Sequence, residues 1–161
     1  MKTLDYISLD AAGVNPVVVA LEQLLADYQI FYSNVRGFHW NIKGRDFFIL
    51  HSKFEDMYND IAEKVDEVAE RILMLGGTPE NRFSEYLKKS RVQETAGVAC
   101  GEEALQHILD TYALLIEEER KLLALASDCK DESTVALMSD YLKEQEKLVW
   151  MLVAWSSCGC K

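Results

Sequence analysis

Four long stretches of this chain repeat apolar residues at steps of three and four, and only two prolines interrupt the whole. The first stretch takes Val17, Leu21, Leu24, Leu25, Tyr28, Phe31, Tyr32, Val35 and Phe38, and the second Phe54, Met57, Tyr58, Ile61, Val65, Val68, Ile72 and Leu75. The third takes Leu105, Ile108, Leu109, Tyr112, Leu115, Ile116, Leu122 and Leu123, and the fourth Val135, Met138, Tyr141, Leu142, Leu148, Val149, Leu152 and Trp155. That period lays each set along one face of an α-helix. Proline is the strongest helix breaker, and it stands only at Pro16 and Pro79. No stretch alternates long enough with the period of two that marks a strand. Each helix is then roughly 25 residues, or about 38 Å, in length.

Punctuation gives the boundaries. Asn15-Pro16 suits a helix start, since Asn caps and Pro fits the first helical position. This first helix should reach about Asn41, with Gly44 permitting a tight break before a second start at Asp46 or Phe47. Gly76-Gly77 followed by Thr78-Pro79 stops the second helix. Residues 78–100 form a connection holding a short helical piece, Phe83 to Lys88. It is long enough to traverse a bundle, so the third helix can run parallel to the second. The third helix starts at Gly101-Glu102-Glu103 and fades near Asp128, and Asp131, Ser133 or Thr134 caps the fourth. The expectation is one all-α domain over residues 1–161: a four-helix bundle with a long crossover between helices 2 and 3. Residues 1–14 are a mixed lead-in and 157–161 a short cysteine-containing tail.

The net charge of −10 repels nucleic-acid phosphate and attracts cations. The N-terminal stretch MKTLDYISLD has acids where a secretory leader is apolar, and no run approaches a membrane span. A cytoplasmic protein with reduced Cys100, Cys129, Cys158 and Cys160 is the expectation. Cys100 and Cys129 are expected to pack as small apolar residues. Cys158 and Cys160 form a Cys-x-Cys end, read either as a plain terminus or as an accessory metal, haem or thiol-redox site.

The stretch Arg36 to Glu70 concentrates ligand chemistry. It holds His39 and His51, twelve residues apart, and Asp46, Glu55, Asp56, Asp60, Glu63, Asp66, Glu67 and Glu70. Imidazole with carboxylate is a ligand mixture for iron, manganese or zinc. Asp66 and Glu70 are four apart and share a helix face. Asp66 is fifteen residues past His51, about 22 Å along a straight helix. One chain cannot bring both to one metal, whereas a two-fold interface can. The Glu-x-x-His pair of intrasubunit di-iron bundles is absent, because Arg36, Phe48 and Ala104 stand three before the histidines. On spacing alone two readings stand: a shared metal site, or packed histidines beside a solvated acidic face in which Lys64 and Arg71 pair with Asp60 and Glu67. Glu103 and His107 share a face and read better as an interface or surface pair than as ligands.

The contexts FHWNIKG, LHSKFE and DEVAERI, with LGGTP after the second helix and YLKEQEKLVWML in the last, resemble the Dps family, the bacterial mini-ferritins, over residues 10–155. The resemblance implies a ferritin-like bundle and a hollow dodecamer. It implies that His39 and His51 of one subunit and Asp66 and Glu70 of its two-fold mate form a ferroxidase site. That site would take two Fe(II), with Glu55 at the weaker second position and Trp40 beside it as packing or as an electron and radical trap. Hydrogen peroxide, or oxygen more slowly, would be the oxidant, and Fe(III) mineral would be stored in the shell against oxidative stress. Asp131 and Asp140 are the preferred lining of the three-fold pores, with Asp128 and Glu132 nearby. The alternatives are a DNA-compacting structural protein and a non-catalytic store for another divalent metal.

Some members of the family bind DNA through a lysine-rich N-terminal arm; this chain has Lys2 alone in that stretch. Direct DNA binding is therefore expected to be weak or absent, with no tight complex in a gel-shift even at low salt; a tight complex there would contradict it.

Overall fold

The computed structural model describes residues 3–157; the Cys158 and Cys160 reading lies outside the described residues. Among these there are six helices and no strand: α1 (Leu4–Ile7), α2 (Ala11–Asn41), α3 (Phe47–Met74), α4 (Phe83–Lys89), α5 (Gly101–Asp128) and α6 (Glu132–Ser156). The all-α fold, the four long helices and the short helix in the crossover are as expected. No helix of the described residues is long and apolar enough to cross a membrane.

The apolar stripes converge on one core. Leu21, Leu24, Leu25, Phe31, Phe54, Ile61, Ile72, Ile108, Leu115 and Leu122 are all fully buried, each contributing about 1.5–3 kcal/mol by leaving water. Phe31 meets Tyr112 edge-on at 5.2 Å between centroids, tying α2 to α5. α3 ends as its glycines dictate. Gly76, at φ +82°, donates to the Leu73 carbonyl (3.0 Å), and Gly77 to the Ile72 carbonyl (2.9 Å). A Cβ on Gly77 would stand 2.8 Å from side-chain carbons of both Ile72 and Val18.

Two buried polar side chains of α2 hold the crossover. Asp27 accepts from the Arg91 backbone N–H (2.6 Å) and the Ser90 hydroxyl (2.9 Å). The Asn34 carboxamide donates to the Gln93 carbonyl (2.8 Å) and accepts from the Thr95 N–H (3.0 Å). The crossover thereby returns to the α2–α3 turn, where Lys43 N–H donates to the Ala99 carbonyl (3.0 Å) and Gly101 lies against Leu50. So α5 starts beside the start of α3 and runs parallel to it.

The structure corrects four expectations. α2 begins at Ala11 rather than at Asn15-Pro16, because Asp10 caps it by accepting from the Gly13 N–H (2.8 Å). Pro16 is tolerated inside because the carbonyl it leaves without a donor, that of Ala12, belongs to an exposed residue. The lead-in contains the one-turn helix α1, whose Leu4 packs against the core. Cys100 is exposed, so it does not pack as a small apolar residue; Cys129 is half-buried against the core.

The fourth correction concerns Arg71 and Asp131. Arg71 pairs with Asp131 (2.5 Å) instead of Glu67, and Glu67 accepts from the Tyr141 hydroxyl (2.6 Å). Asp131, 1 % exposed, also caps α6 by accepting from the Thr134 N–H (3.0 Å) and hydroxyl (2.6 Å). A carboxylate held on all these bonds inside its own protomer has no free face for a channel, so the pore assignment of Asp131 is withdrawn.

Removing one partner of such a buried pair leaves the other charge uncompensated, and the helix cap is lost with it. Asp131→Ala is expected to lower stability by about 3 kcal/mol in urea unfolding; a change below about 0.5 kcal/mol would show that the pair is not holding α6 to α3.

Candidate metal site at the α2–α3 hairpin

The end of α2 and the start of α3 are locked by two histidines. His39 Nδ1 donates to the His51 backbone carbonyl (2.8 Å), and His51 Nδ1 donates to the His39 carbonyl (2.8 Å). The rings stack with centroids 3.8 Å apart and an interplanar angle of 20°. The His39 carbonyl lies in the last turn of α2, where carbonyls have no helical donor; the His51 ring meets that need. A backbone carbonyl only accepts, so each Nδ1 carries the hydrogen. In the neutral ring the lone pair is then on Nε2. Both imidazoles thus keep a bare Nε2 whose direction is set by the bond at the other nitrogen, an arrangement that could hold a metal.

Aromatic neighbours hold the rings. Phe47 stacks on His51 (5.0 Å, 23°), and Tyr58 meets His39 edge-on (5.3 Å, 79°). His39 is buried and His51 half-buried. Glu55, one turn after His51, is exposed; partial burial and the nearby Glu55 carboxylate push the Tyr58 phenol's pKa up. Trp40 is exposed, and the Arg36 guanidinium lies 4.9 Å from the ring centroids of both Trp40 and Tyr32. Tyr58 and Arg36 were not singled out from sequence. Arg36, four before Trp40, and Tyr58, seven after His51, stand at helical spacing from them, which carries the signal.

Asp66 and Glu70 lie on the same helix, α3, exposed and with no intramolecular ion pair or side-chain hydrogen bond among the described residues. The helix is unbroken between His51 and Asp66, so about 22 Å of rise separates them. Among the described residues of one chain, no group of three or more His, Cys, Asp or Glu converges to hold a metal. The structure brings His39 and His51 together and places Glu55 beside them; it does not bring Asp66 and Glu70 to them within one chain.

Large apolar side chains stand exposed on both sides. Trp40, Phe48 and Ile49 flank the histidines, and Leu73 and Met74 follow Glu70. Such a surface is what a protein partner covers. Asp140, Asp128 and Glu132 are exposed near the start of α6. His107 stacks on Phe38 (6.1 Å, 19°).

A family model described as "Ferritin-like domain" matches residues 18–157. The "DNA protection during starvation protein" of Porphyromonas gingivalis is 51% identical over 156 residues, covering 97% of this chain and 98% of its own. The crystal structure of the Dps protein from Vibrio cholerae O1, described as a ferritin-like diiron-carboxylate protein, superposes with a TM-score of 0.91 at 48% identity, over 92% of this chain and 94% of that one. The Dps protein of Bacillus brevis superposes with a TM-score of 0.88 at 29% identity, over 92% and 100% of the two chains.

The hydrogen bonds make a direct statement about protons. Nitrogen-correlated NMR of neutral His39 and His51 is expected to show the Nδ1–H tautomer for both rings. Nε2–H signals for either would mean that its ring is turned away from metal binding.

Proposed function

Starting from the premise that this chain belongs to the Dps family of ferritin-like proteins, we propose that it oxidises and stores iron at sites shared between two copies of itself. The observation that carries this reading is the split ligand set: two imidazoles with free Nε2 atoms at one end of α3, and two unpaired carboxylates about 22 Å further along it. A two-fold axis across α3 sets the histidine end of each chain against the carboxylate end of the other, producing two sites per pair. The exposed Trp40, Phe48, Ile49, Leu73 and Met74 are then the apolar parts of that interface.

Fe(II) is the substrate. His39 and His51 hold it with neutral nitrogen, and Asp66 and Glu70 of the facing copy neutralise the charge that rises on oxidation. Glu55, one helical turn after His51, is the ligand candidate for a second, more weakly held iron. With peroxide the balanced reaction takes two Fe(II), one hydrogen peroxide and two water molecules to two FeO(OH) and four protons. Each iron gives one electron, so the O–O bond is cleaved by a pair and no hydroxyl radical leaves. Trp40, with Arg36 against its face, stands beside the site as the residue placed to intercept a stray oxidant. The dodecameric shell, cytoplasmic location, and Asp140 as the remaining pore carboxylate complete the proposal. The net charge of −10 suits cation uptake and disfavours DNA as the partner.

Co-assembly tests the sharing. His39→Ala and Asp66→Ala homo-assemblies are each expected to lose peroxide-driven Fe(II) oxidation by about a hundredfold or more, as loss of metal affinity dictates. Mixed one to one and reassembled, half the pairs are mixed, and each mixed pair regains one of its two sites. About a quarter of wild-type activity should return. No recovery in verified mixed assemblies would place the ligands within one chain.

A further inference from the structure

Halfway along the bundle, three side chains from three helices meet away from water: Tyr28 of α2, Glu119 of α5 and Gln145 of α6, at most 3% exposed. The Tyr28 hydroxyl donates to Glu119 Oε1 (2.5 Å). The Gln145 carboxamide gives one N–H to the Tyr28 oxygen (2.7 Å) and one to Glu119 Oε1 (2.7 Å). Every donor of the trio is then used, yet Glu119 Oε2 and Gln145 Oε1 remain buried without a partner. Each orphaned acceptor gives up its hydrogen bonds to water on burial and gets none in return, which weakens the fold. Turning the carboxamide over brings no relief, since its oxygen would then face Glu119 Oε1 with no hydrogen between them.

We propose that Glu119 carries a proton in the folded bundle and closes a cyclic acid–amide pair with Gln145, Oε2–H donating to the carboxamide Oε1 while the carboxamide N–H donates to Oε1. One proton satisfies both orphaned atoms at once. The pair is a proton-binding site in the core, separate from the metal chemistry at the α2–α3 hairpin.

The surrounding groups agree. Burial is the largest influence on Glu119 and raises its pKa from 4.5 to about 7, outweighing the bonds from Tyr28 and Gln145 and the charge of Lys64, which lower it. Lys64 of α3 faces the site, but its ammonium is held by Asp60 (2.6 Å) and Glu144 (3.0 Å). Tyr112 of α5 and Tyr141 of α6 are the other titratable neighbours; both phenols are pushed up, first by burial, and stay neutral.

A carboxyl whose folded pKa is raised stabilises the fold fully below its unfolded pKa of 4.5, and loses that stabilisation as pH rises through about 7. Within that window the folding constant should fall about tenfold per pH unit from this group alone.

The test is infrared spectroscopy of the assembled protein with wild type beside Glu119→Gln. Wild type should show a protonated-carboxyl C=O band at about pH 5 that shifts in deuterated water and fades towards about pH 8.5. Glu119→Gln replaces the acid O–H by an amide N–H at the same place. It should lack the band, keep its helix content, and lose the pH slope of unfolding between about 5 and 7. Absence of the band in wild type overturns the proposal without any variant. So does a Glu119→Gln protein that unfolds more readily at every pH, or that releases a cation found in wild type by elemental analysis. Either result would mean an ionised carboxylate paired with something else.

Discussion

His39 and His51 each give their Nδ1 hydrogen to the other's backbone carbonyl, and much else in this protein depends on those two bonds. They join the last turn of α2 to the second turn of α3 across a short turn. They also fix which nitrogen of each ring is bare. An imidazole held at one nitrogen presents the other in a defined direction, so on the proposed reading a backbone-capping device doubles as a metal-binding half-site. On the proposed reading, the stiffness of α3 does the rest. A continuous helix cannot fold its own Asp66 and Glu70 back onto His39 and His51, so completion requires a second chain.

The bundle interior leaves no room for the proposed metal chemistry, which falls to the surface. Polar side chains inside the bundle are committed to structure. Asp27 and Asn34 anchor the crossover, Asp131 caps α6 while holding Arg71, and Tyr28, Glu119 and Gln145 bond to one another. A neutral Glu119 makes that interior a closed hydrogen-bonded layer rather than a charged site. It also gives the core a tolerance that suits a protein whose proposed reaction releases protons, because acidification favours the protonated pair.

The sequence made the long helices readable because each buries one stripe, and the period of that stripe survives without any tertiary information. It made the glycine stop of α3 readable, and narrowed the α6 cap to Asp131, Ser133 or Thr134, because both are local chemistry. It misplaced the start of α2, since Asn15-Pro16 is a good start signal and only the three-dimensional fit of Asp10 to Gly13 shows that an earlier one wins. Asp131 looked like one of several surface acids; its burial depends on Arg71, sixty residues away. Glu119 occupies the point where the α5 stripe of Tyr112 and Leu115 passes inward, and the Glu117-Glu118-Glu119-Arg120 run disguises it as surface. The two histidines were legible as a pair by spacing, but their tautomers were not, because those depend on carbonyls that only the hairpin brings into reach.

The most direct measurement of the shared site is anomalous diffraction at the iron edge from crystals loaded anaerobically with Fe(II). The account predicts iron bonded to the Nε2 atoms of His39 and His51 of one chain and to carboxylate oxygens of Asp66 and Glu70 of its two-fold neighbour. Iron held inside a single bundle, or on carboxylates far from both histidines, would contradict it.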